Sequence, residues 1–338
     1  MTVHFELKAH GTLKKVSSEF DLIHRYFTRP TPGAILGVGD DAALIKPAKG
    51  KELAISTDML VGGRHFFDDA DPRKLGHKAL AVNLSDMAAM GATPRWATLS
   101  LALPESTART GKQWLEAFAD GIFGLSHAHQ VELIGGDTTC GPLNICVGII
   151  GEVAKGKALR RSGARPGDDI WISGCLGDAA LALAHAQRRI MLEPGEIAGC
   201  LAALHTPTAR VELGQRLIGL ASSAIDVSDG LLADLGHILK SSQVAAVIKM
   251  DEISCSATMK KYRSQTPAME CLLAGGDDYE LCFTAPRAKR RRIEMLSREQ
   301  PVPLTRIGKT STGEGLAVLD AAGKEITLKT KGYDHFHA

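Results

Sequence analysis

The sequence predicts an α/β fold (α/β or α+β) made of two mixed domains, and three observations support this prediction. The chain has 338 residues, which exceeds the size of one typical hydrophobic core. Strand-like apolar runs alternate with helix-like segments in both halves. Between the halves, residues 154–167 contain basic residues, glycines and Pro166, a composition typical of a linker. We therefore expect an N-terminal domain at 1–153 and a C-terminal domain at 154–338.

Caps and hydrophobic periodicity predict the individual elements. Ser17 can cap a helix that ends near Phe27. Asp71-Pro72 is a cap followed by proline at the first helical position, which opens a helix through 80–90. The other predicted strands are 42–45, 53–56, 96–103, 131–134, 144–153, 169–173, 224–227, 245–249, 279–284, 305–307, 316–319 and 325–328. The other predicted helices are 107–127, 178–188, 196–204, 210–220 and 231–241.

Composition and charge exclude several classes of protein. The chain carries 40 Lys and Arg against 38 Asp and Glu, so no global field favours nucleic acid or a membrane surface as a partner. Its seven cysteines include no C-x-x-C pair, which suits reduced thiols better than a disulfide or zinc framework. The first residues lack the apolar segment of a signal peptide, and no apolar run is long enough to span a membrane. We expect a cytoplasmic protein.

An aspartate next to Gly, Ser, Thr or a second aspartate recurs at the ends of predicted apolar segments. Carboxylates and hydroxyls are hard oxygen ligands, and Mg²⁺ typically takes one or two protein carboxylates and adds water and substrate phosphates. The recurrence therefore predicts several Mg²⁺ ions shared with a polyphosphate. Each segment taken singly also fits ordinary turn or helix-cap chemistry, so that alternative stays open. The six segments are Asp40-Asp41, Ser56-Thr57-Asp58, Ser85-Asp86, Gly136-Asp137, Asp226-Val227-Ser228-Asp229 and Asp277-Asp278.

Other phosphate-binding and metal-binding motifs are absent from the sequence. Gly308-Lys309-Thr310 looks like the end of a P-loop, but Pro303 stands where that motif requires glycine. The segment GVGDDA lacks the third glycine of a dinucleotide-binding fingerprint. The loop at 226–230 puts apolar side chains where an EF-hand requires oxygen ligands. There is no G-x-S-x-G and no H-E-x-x-H, so neither a hydrolase nor a zinc protease is indicated.

Longer motifs along the chain carry a resemblance to a known family. They are GVGDDAAL, AISTDMLVGGRHF, KALAVNLSDMAAMGATP, LIGGDTTCGPL, RRSGARPGD, AIDVSDGLLADLGHI, GGDDYELCF and KGYDHF. Through these motifs the sequence resembles the thiamine-monophosphate kinases, which share a superfamily with aminoimidazole ribonucleotide synthetase and selenophosphate synthetase. The resemblance implies ATP-dependent phosphorylation of thiamine phosphate to thiamine diphosphate, with several Mg²⁺ ions and ATP as co-substrate. It also implies an Asp-rich cleft between the domains and a homodimer formed through the N-terminal domains.

The same resemblance implies roles for individual residues. The implied magnesium ligands are Asp41, Ser56, Thr57, Asp58, Asp86, Asp137, Asp226 and Asp229, with Asp40 as a further candidate. The implied ATP contacts are Gly136, Asp137, Arg161 and Ser228, and the implied thiamine phosphate contacts are His65, Asp277 and Tyr333. The expected catalytic residues are Asp58, Asp86, Asp137 and Asp226. The family usually has glutamate where this chain has Asp277, and the shorter side chain leaves room for a bridging water.

The expected chemistry needs neither a strong base nor a protein nucleophile. The second pKa of a phosphate monoester is about 6, so the acceptor is largely ionised near neutral pH. Direct in-line transfer without a phosphoenzyme is therefore expected, with positioning and metal charge lowering the barrier. Tyr333 is expected to stack on the substrate rings, unless it only packs the C-terminal segment. The alternative functions are another synthetase or ligase of the superfamily and a catalytically silent nucleotide-binding protein.

Overall fold

The computed structural model of the chain describes residues 18–328 and 332–333. The first half contains α1 (Glu19–Leu22), a π-helical turn (Ile23–Phe27), β1 (Lys51–Val61), α2 (Pro72–Ala89), β2 (Thr93–Leu103), α3 (Glu105–Thr110), α4 (Lys112–His129), β3 (Glu132–Cys140) and β4 (Asn144–Ala154). The second half contains β5 (Asp169–Ser173), α5 (Asp178–Ala186), α6 (Pro194–His205), α7 (Val211–Leu217), β6 (Ser223–Val227), α8 (Leu231–Ser242), β7 (Ala245–Lys249), a 3₁₀ turn (Met250–Glu252), α9 (Ala257–Tyr262), α10 (Thr266–Ala274), β8 (Glu280–Ala285), a second 3₁₀ turn (Arg287–Lys289), α11 (Arg290–Glu299), β9 (Leu304–Ser311) and β10 (Leu316–Leu319).

A four-stranded sheet forms the centre of the N-terminal domain, with the strand order β1-β4-β2-β3. Strand β4 is antiparallel to β1 and β2, whereas β2 and β3 are parallel. Helices α2 and α4 pack against each other beside this sheet. A Cβ on Gly76 would lie 2.2 Å from the carbonyl oxygen of Phe118, and one on Gly121 would lie 1.9 Å from that of Arg73. Glycine at these two positions therefore allows the helix backbones to approach closely.

Strand β1 presents different side chains on its two faces, because successive residues of a strand alternate in direction. Ser56 and Asp58 are partly buried and lie on the same face as the buried Ala54 and Leu60. The opposite face carries an exposed apolar row, which consists of Leu53, Ile55 and Met59 and is interrupted by the exposed Thr57. The strand thus holds polar residues on its protected face and leaves a mainly apolar surface on the other.

The C-terminal domain is built around a six-stranded mixed sheet with the order β10-β7-β9-β5-β8-β6. Strands β10 and β7 are parallel, and the other neighbouring strands are antiparallel. Every residue of β5, β6 and β8 is buried, as expected for strands that are covered on both faces. Within residues 18–328 and 332–333, no helix has both the length and the apolar character needed to cross a membrane.

Helix α2 joins the two domains. It contacts α7 and β6 of the C-terminal domain as well as the strands of its own sheet. A Cβ on Gly214 of α7 would lie 2.0 Å from the carbonyl oxygen of Ala88, so the two helices meet at backbone distance. Leu84 of α2, Leu217 of α7 and Phe283 of β8 belong to one hydrophobic core. This packing sets the position of the α2 side chains relative to β6.

Several predicted elements are confirmed. Asp71 caps α2: its Oδ1 accepts hydrogen bonds from the N–H groups of Arg73 (2.8 Å) and Lys74 (3.2 Å), and Pro72 is the first helical residue. Strands β5, β7 and β10 have the predicted bounds. Local capping chemistry and clear apolar runs were therefore sufficient to predict these elements.

Two predicted strands are wrong. At 42–45 the chain forms only an isolated bridge between Leu36 and Leu44, and Leu44 is 53% exposed. At 325–328 the pairing is again a single bridge, between Leu319 and Glu325. Both segments have strand-like composition, but in neither does the single bridge continue into a ladder of paired residues.

Two helix predictions also need correction. The predicted helix at 107–127 is divided into α3 and α4 at Gly111. The predicted cap Ser17 lies outside the described residues, and α1 is capped by Ser18, whose hydroxyl accepts a hydrogen bond of 3.1 Å from the N–H of Asp21. Helix boundaries depend on cap geometry, which periodicity alone does not determine.

Candidate active site

Three aspartates from three elements line one cavity of about 940 Å³. Asp58 lies on β1, Asp86 on α2 and Asp226 on β6. The Ser56 hydroxyl donates a hydrogen bond to Asp86, and the Ser85 hydroxyl donates one of 2.7 Å to Oδ2 of Asp226. The acidic group therefore combines residues of both domains.

The three carboxyl groups have raised pKa values. Burial, followed by repulsion from Asp86 and Asp226, raises the pKa of Asp58 from 3.8 to about 7. Burial, followed by repulsion from Asp86, raises the pKa of Asp226 to about 6. Burial also raises the pKa of Asp86, although the Ser56 hydrogen bond and the charge of Arg161 oppose this effect. Buried like charges of this kind are stabilised when a cation binds.

The oxygen atoms of this group suit Mg²⁺. Asp58 and Asp86 supply carboxylates and Ser56 supplies a hydroxyl, which are ligand types that Mg²⁺ prefers. In the described part of the chain, no group of three or more His, Cys, Asp or Glu side chains is arranged so that it could hold a metal ion by itself. Since Mg²⁺ usually binds one or two protein carboxylates and keeps water and phosphate oxygens elsewhere, the arrangement fits a metal shared with a phosphorylated ligand.

The loop after β6 is held by a single carboxylate. Oδ2 of Asp234 accepts hydrogen bonds from the N–H groups of Ser228 (3.0 Å), Asp229 (3.1 Å) and Gly230 (3.0 Å). Burial raises the pKa of Asp234 to about 7, and repulsion from Asp229 adds to the rise. These bonds order the loop, in which Ser228 and Asp229 line the cavity.

A second loop carries Asp277 into the same cavity. Asp277 and Tyr279 have φ angles of 69° and 51°, in the left-handed region that is unfavourable for residues other than glycine. The Tyr279 hydroxyl donates a hydrogen bond of 2.8 Å to Oδ1 of Asp277, and Nζ of Lys78 donates one of 3.1 Å to Oδ2. The Asp277 N–H bonds to the carbonyl oxygen of Ser228 at 2.9 Å, which joins the two loops.

His65 and Tyr333 also line this cavity. Nδ1 of His65 accepts a hydrogen bond of 3.0 Å from the N–H of Val61. The Tyr333 ring lies 5.3 Å from the guanidinium of Arg64, measured to the ring centroid, and the Tyr333 N–H bonds to the carbonyl oxygen of Asp229 at 3.0 Å. Tyr333 thus contacts residues of both domains.

Three of the implied site residues lie in a different cavity. Asp41, Gly136 and Asp137 line a second cavity of about 640 Å³, together with Asp40. Gly136 has a φ of +145°, and a Cβ at this position would lie 1.8 Å from the carbonyl oxygen of Leu99. The close contact between β2 and β3 is therefore sufficient to require glycine at this position. Among the implied residues, the first cavity is lined by Thr57, Asp58, His65, Asp86, Asp226, Ser228, Asp229, Asp277 and Tyr333. Ser56 and Arg161 affect this cavity through Asp86: the Ser56 hydroxyl donates a hydrogen bond to Asp86, and the charge of Arg161 lowers the pKa of Asp86.

Two of the six acidic segments lie inside strands that are longer than predicted: Asp58 lies within β1 and Asp137 within β3, although the strands were predicted at 53–56 and 131–134. Asp86 lies within α2, in agreement with the helix predicted through 80–90. Because α-helical residues are separated by about 100° around the axis, Ser85 and its neighbour Asp86 point in different directions and serve different partners. The sequence predicted this helix, but it did not predict which partners the two side chains bind.

Sequence reasoning missed three polar residues of this cavity and its loops. Lys78 is 4% exposed within an apolar stretch of α2, and a lysine in such a stretch was an available signal. Asp234 follows Gly230 at the start of α8, where free N–H groups favour an acidic side chain. Nothing in the sequence pointed to the hydroxyl of Tyr279 as the partner of Asp277.

Comparison with known proteins gives consistent matches along the chain. Residues 39–153 match the family "AIR synthase related protein, N-terminal domain", and residues 165–320 match its C-terminal domain. The thiamine-monophosphate kinase of Escherichia coli (strain K12) is 46% identical over 94% of this chain and 98% of its own length. That of Bacillus subtilis (strain 168) is 32% identical over 94% and 99%.

Solved structures agree with these matches. Thiamine-monophosphate kinase from Stenotrophomonas maltophilia K279a is 45% identical, with a TM-score of 0.80 over 87% of this chain and 93% of that one. The structure of AaThiL complexed with AMPPCP and TMP is 31% identical, with a TM-score of 0.73 over 94% and 96%. The similarity therefore extends across both domains.

Proposed function

The chain belongs to the thiamine-monophosphate kinase family, within the AIR synthase-related superfamily, and on this premise we propose that it transfers the γ-phosphoryl group of ATP to thiamine phosphate. The products are thiamine diphosphate and ADP, and Mg²⁺ is the proposed metal. The observation that carries the proposal is the group of three aspartates on the wall of the 940 Å³ cavity. The relative complexed with AMPPCP and TMP supports a site for two phosphorylated ligands.

The proposed mechanism brings two anions together without a base or a protein nucleophile. Asp58, Asp86 and Asp226 would hold Mg²⁺, and the bound metal would supply positive charge that offsets the repulsion between the two anionic substrates. Arg161 presents a planar fork of donors that can orient a phosphate beside Asp86. The second pKa of a phosphate monoester is about 6, so no side chain has to remove a proton from the acceptor. We propose direct in-line transfer, in which the chain contributes mainly positioning.

The proposed residue roles fall into three sets. The magnesium ligands are Asp41, Ser56, Thr57, Asp58, Asp86, Asp137, Asp226 and Asp229. The ATP contacts are Gly136, Asp137, Arg161 and Ser228, and the thiamine phosphate contacts are His65, Asp277 and Tyr333. Thr57, Ser228 and Asp229 line the same cavity as the three aspartates, which supports their roles. The roles of Asp41, Gly136 and Asp137, in the second cavity, rest on the family relationship.

The first cavity suits a cationic substrate. Its lining contains more acidic than basic side chains, so it favours the positively charged thiazolium ring of thiamine phosphate. Tyr333 is 39% exposed at the wall and offers an aromatic face on which the substrate rings can stack. These features support thiamine phosphate as the acceptor.

We further propose that the N-terminal domains form a homodimer. The apolar row of β1 leaves Leu53, Ile55 and Met59 exposed by 37%, 69% and 53%. A second copy that covers this row would remove apolar surface from water. A cytoplasmic location is also proposed, because all seven cysteines are free thiols, as is usual in a reducing compartment.

The first test is a chromatographic assay of the purified protein with ATP, Mg²⁺ and thiamine phosphate. We expect thiamine diphosphate and ADP in equal amounts, and neither product after addition of EDTA. Asp58→Asn should abolish turnover, whereas Asp69→Asn, at an exposed aspartate outside the cavity, should not. ATP hydrolysis without thiamine diphosphate would overturn the acceptor assignment. A phosphorylated aspartate or histidine trapped on the active chain would overturn direct transfer.

A further inference from the structure

Lys78 is a buried ammonium group on the wall of the active-site cavity, and the proposed mechanism does not use it. The residue is 4% exposed, and it lines the cavity from α2. Within the described residues, the hydrogen bond of 3.1 Å to Oδ2 of Asp277 is the polar contact that Nζ makes. An ammonium group has three N–H donors, so two remain for a ligand.

Lys78 lies about two helical turns before Asp86 on α2. Lys78, Val82 and Asp86 line the cavity at intervals of four residues, which places them on one face of the helix. At 1.5 Å per residue, the eight residues from Lys78 to Asp86 span about 12 Å. A substrate that holds its phosphate near Asp86 and extends along this face of α2 can reach Lys78 with its organic end.

We propose that Lys78 and Asp277 together recognise the aminopyrimidine ring of the substrate and that Lys78 determines specificity for it. This inference rests on the proposed function. The edge of an aminopyrimidine has a ring nitrogen that accepts a hydrogen bond beside an amino group that donates one. The N–H of Lys78 lies beside the carboxylate of Asp277 and forms the complementary edge. Lys78 donates to the ring nitrogen, and the amino group donates to Asp277.

The pairing also explains how a lysine fits a cavity for a cationic substrate. An unpaired ammonium group would repel the thiazolium ring. Asp277 balances the charge of Lys78, while the Tyr279 hydroxyl holds the other carboxylate oxygen at 2.8 Å. A carboxylate has about four acceptor positions, so Asp277 can still accept from a ligand. The pair offers directional hydrogen bonds without net charge.

The test compares thiamine phosphate with its 4-oxo analogue. In this analogue a carbonyl replaces the amino group, and the neighbouring ring nitrogen carries a proton. Donor and acceptor are therefore exchanged, so Lys78 would face a donor and Asp277 an acceptor. Because mismatched buried polar groups are strongly unfavourable, wild-type protein is expected to prefer thiamine phosphate by at least about 100-fold in kcat/KM.

Lys78→Met is expected to remove this preference. It should raise the KM for thiamine phosphate by about 10-fold or more and leave the KM for ATP within about two-fold of wild type. The preference over the 4-oxo analogue should fall below about 10-fold. Lys74→Met is the matched control, because Lys74 is exposed one turn earlier on α2 and does not line the cavity; it should retain the wild-type KM and preference.

A second variant controls for the possibility that Lys78→Met does not fold. Lys78→Met leaves Asp277 without its counter-charge, whereas Lys78→Met/Asp277→Asn removes both charges and keeps similar volumes. The double variant should fold and should also lose the preference. A folded single or double variant that retains the preference and loses only kcat would overturn the inference. Equal use of both substrates by wild-type protein would overturn it as well.

The assay of wild-type protein distinguishes a failure of the proposed function from a failure of the inference about Lys78. If wild-type protein forms no thiamine diphosphate, the proposed function fails and this inference fails with it. If wild-type protein forms the product and Lys78→Met discriminates as wild type does, only the inference fails.

Discussion

Ser85 of α2 donates a hydrogen bond of 2.7 Å to Asp226 of β6, and both side chains are buried. The bond joins the N-terminal domain to the C-terminal domain. The next residue, Asp86, accepts a hydrogen bond from Ser56 of β1. Two neighbouring residues of one helix therefore connect three elements, and the acidic group exists only when the domains are packed together.

Ser85→Ala should destabilise the protein by about 1–3 kcal/mol, because buried Asp226 loses a hydrogen-bond donor. The pKa of Asp226 should rise further above about 6, since this hydrogen bond lowers it. Urea unfolding measures the change in free energy. Ser100→Ala, at an exposed position of β2, is the control and should stay within about 0.5 kcal/mol of wild type. Equal stability of Ser85→Ala and wild type would contradict the role of the bond.

The metal-free protein should lose stability as the pH rises from about 4 to about 7. Asp58 and Asp226 have pKa values of about 7 and about 6 in the folded chain, against a usual value of 3.8. The folded chain therefore binds more protons than the unfolded chain in this range, so each step up in pH favours unfolding.

Mg²⁺ should reverse this loss, because it binds the ionised carboxylates. Its effect on the melting temperature should be larger at pH 8 than at pH 5. Asp58→Asn should reduce the difference, and Asp69→Asn should preserve it. An Mg²⁺ effect that is the same at both pH values would argue against binding at these carboxylates.

Tyr333→Ala should raise the KM for thiamine phosphate more than the KM for ATP. Removing an aromatic contact of about 0.5–1.5 kcal/mol predicts a rise of roughly 2- to 10-fold. Tyr333→Phe keeps the ring and should retain most of the affinity. Steady-state kinetics with each substrate varied in turn measures both constants. Equal rises in the two constants would instead assign Tyr333 to packing of the C-terminal segment.

Ile55→Asp should weaken the proposed dimer, because it places a carboxylate in the middle of the exposed apolar row of β1. Sedimentation analysis over a range of concentrations should show a higher dissociation constant. Lys157→Asp changes the charge at an exposed position outside the row and should leave association unchanged. A dimer of wild-type affinity in Ile55→Asp would place the interface elsewhere.

Elements with strong local signals could be predicted from the sequence, whereas the sequence does not show whether a given strand-like run finds a partner for its ladder. The cap at Asp71 is made by N–H groups two and three residues away, so its chemistry is complete in the sequence. Leu44 also lies in a strand-like run, but a strand requires a ladder, and Leu44 makes only one bridge. Strand formation there depended on a neighbour that the fold does not supply.

The features of the candidate site also fall into those that the sequence predicts and those that depend on the fold. The family and the types of side chain present can be read from the sequence alone, since aspartates, hydroxyls and their motifs are local features. Which of these residues share a cavity depends on the packing of the two domains: Asp58 and Asp86 line the first cavity together with Asp226, while Asp137 lines the second. The same packing pairs Lys78 with Asp277, 199 residues away. Ion pairs and raised pKa values depend on distance and burial, and the packing of α2 between the domains sets both.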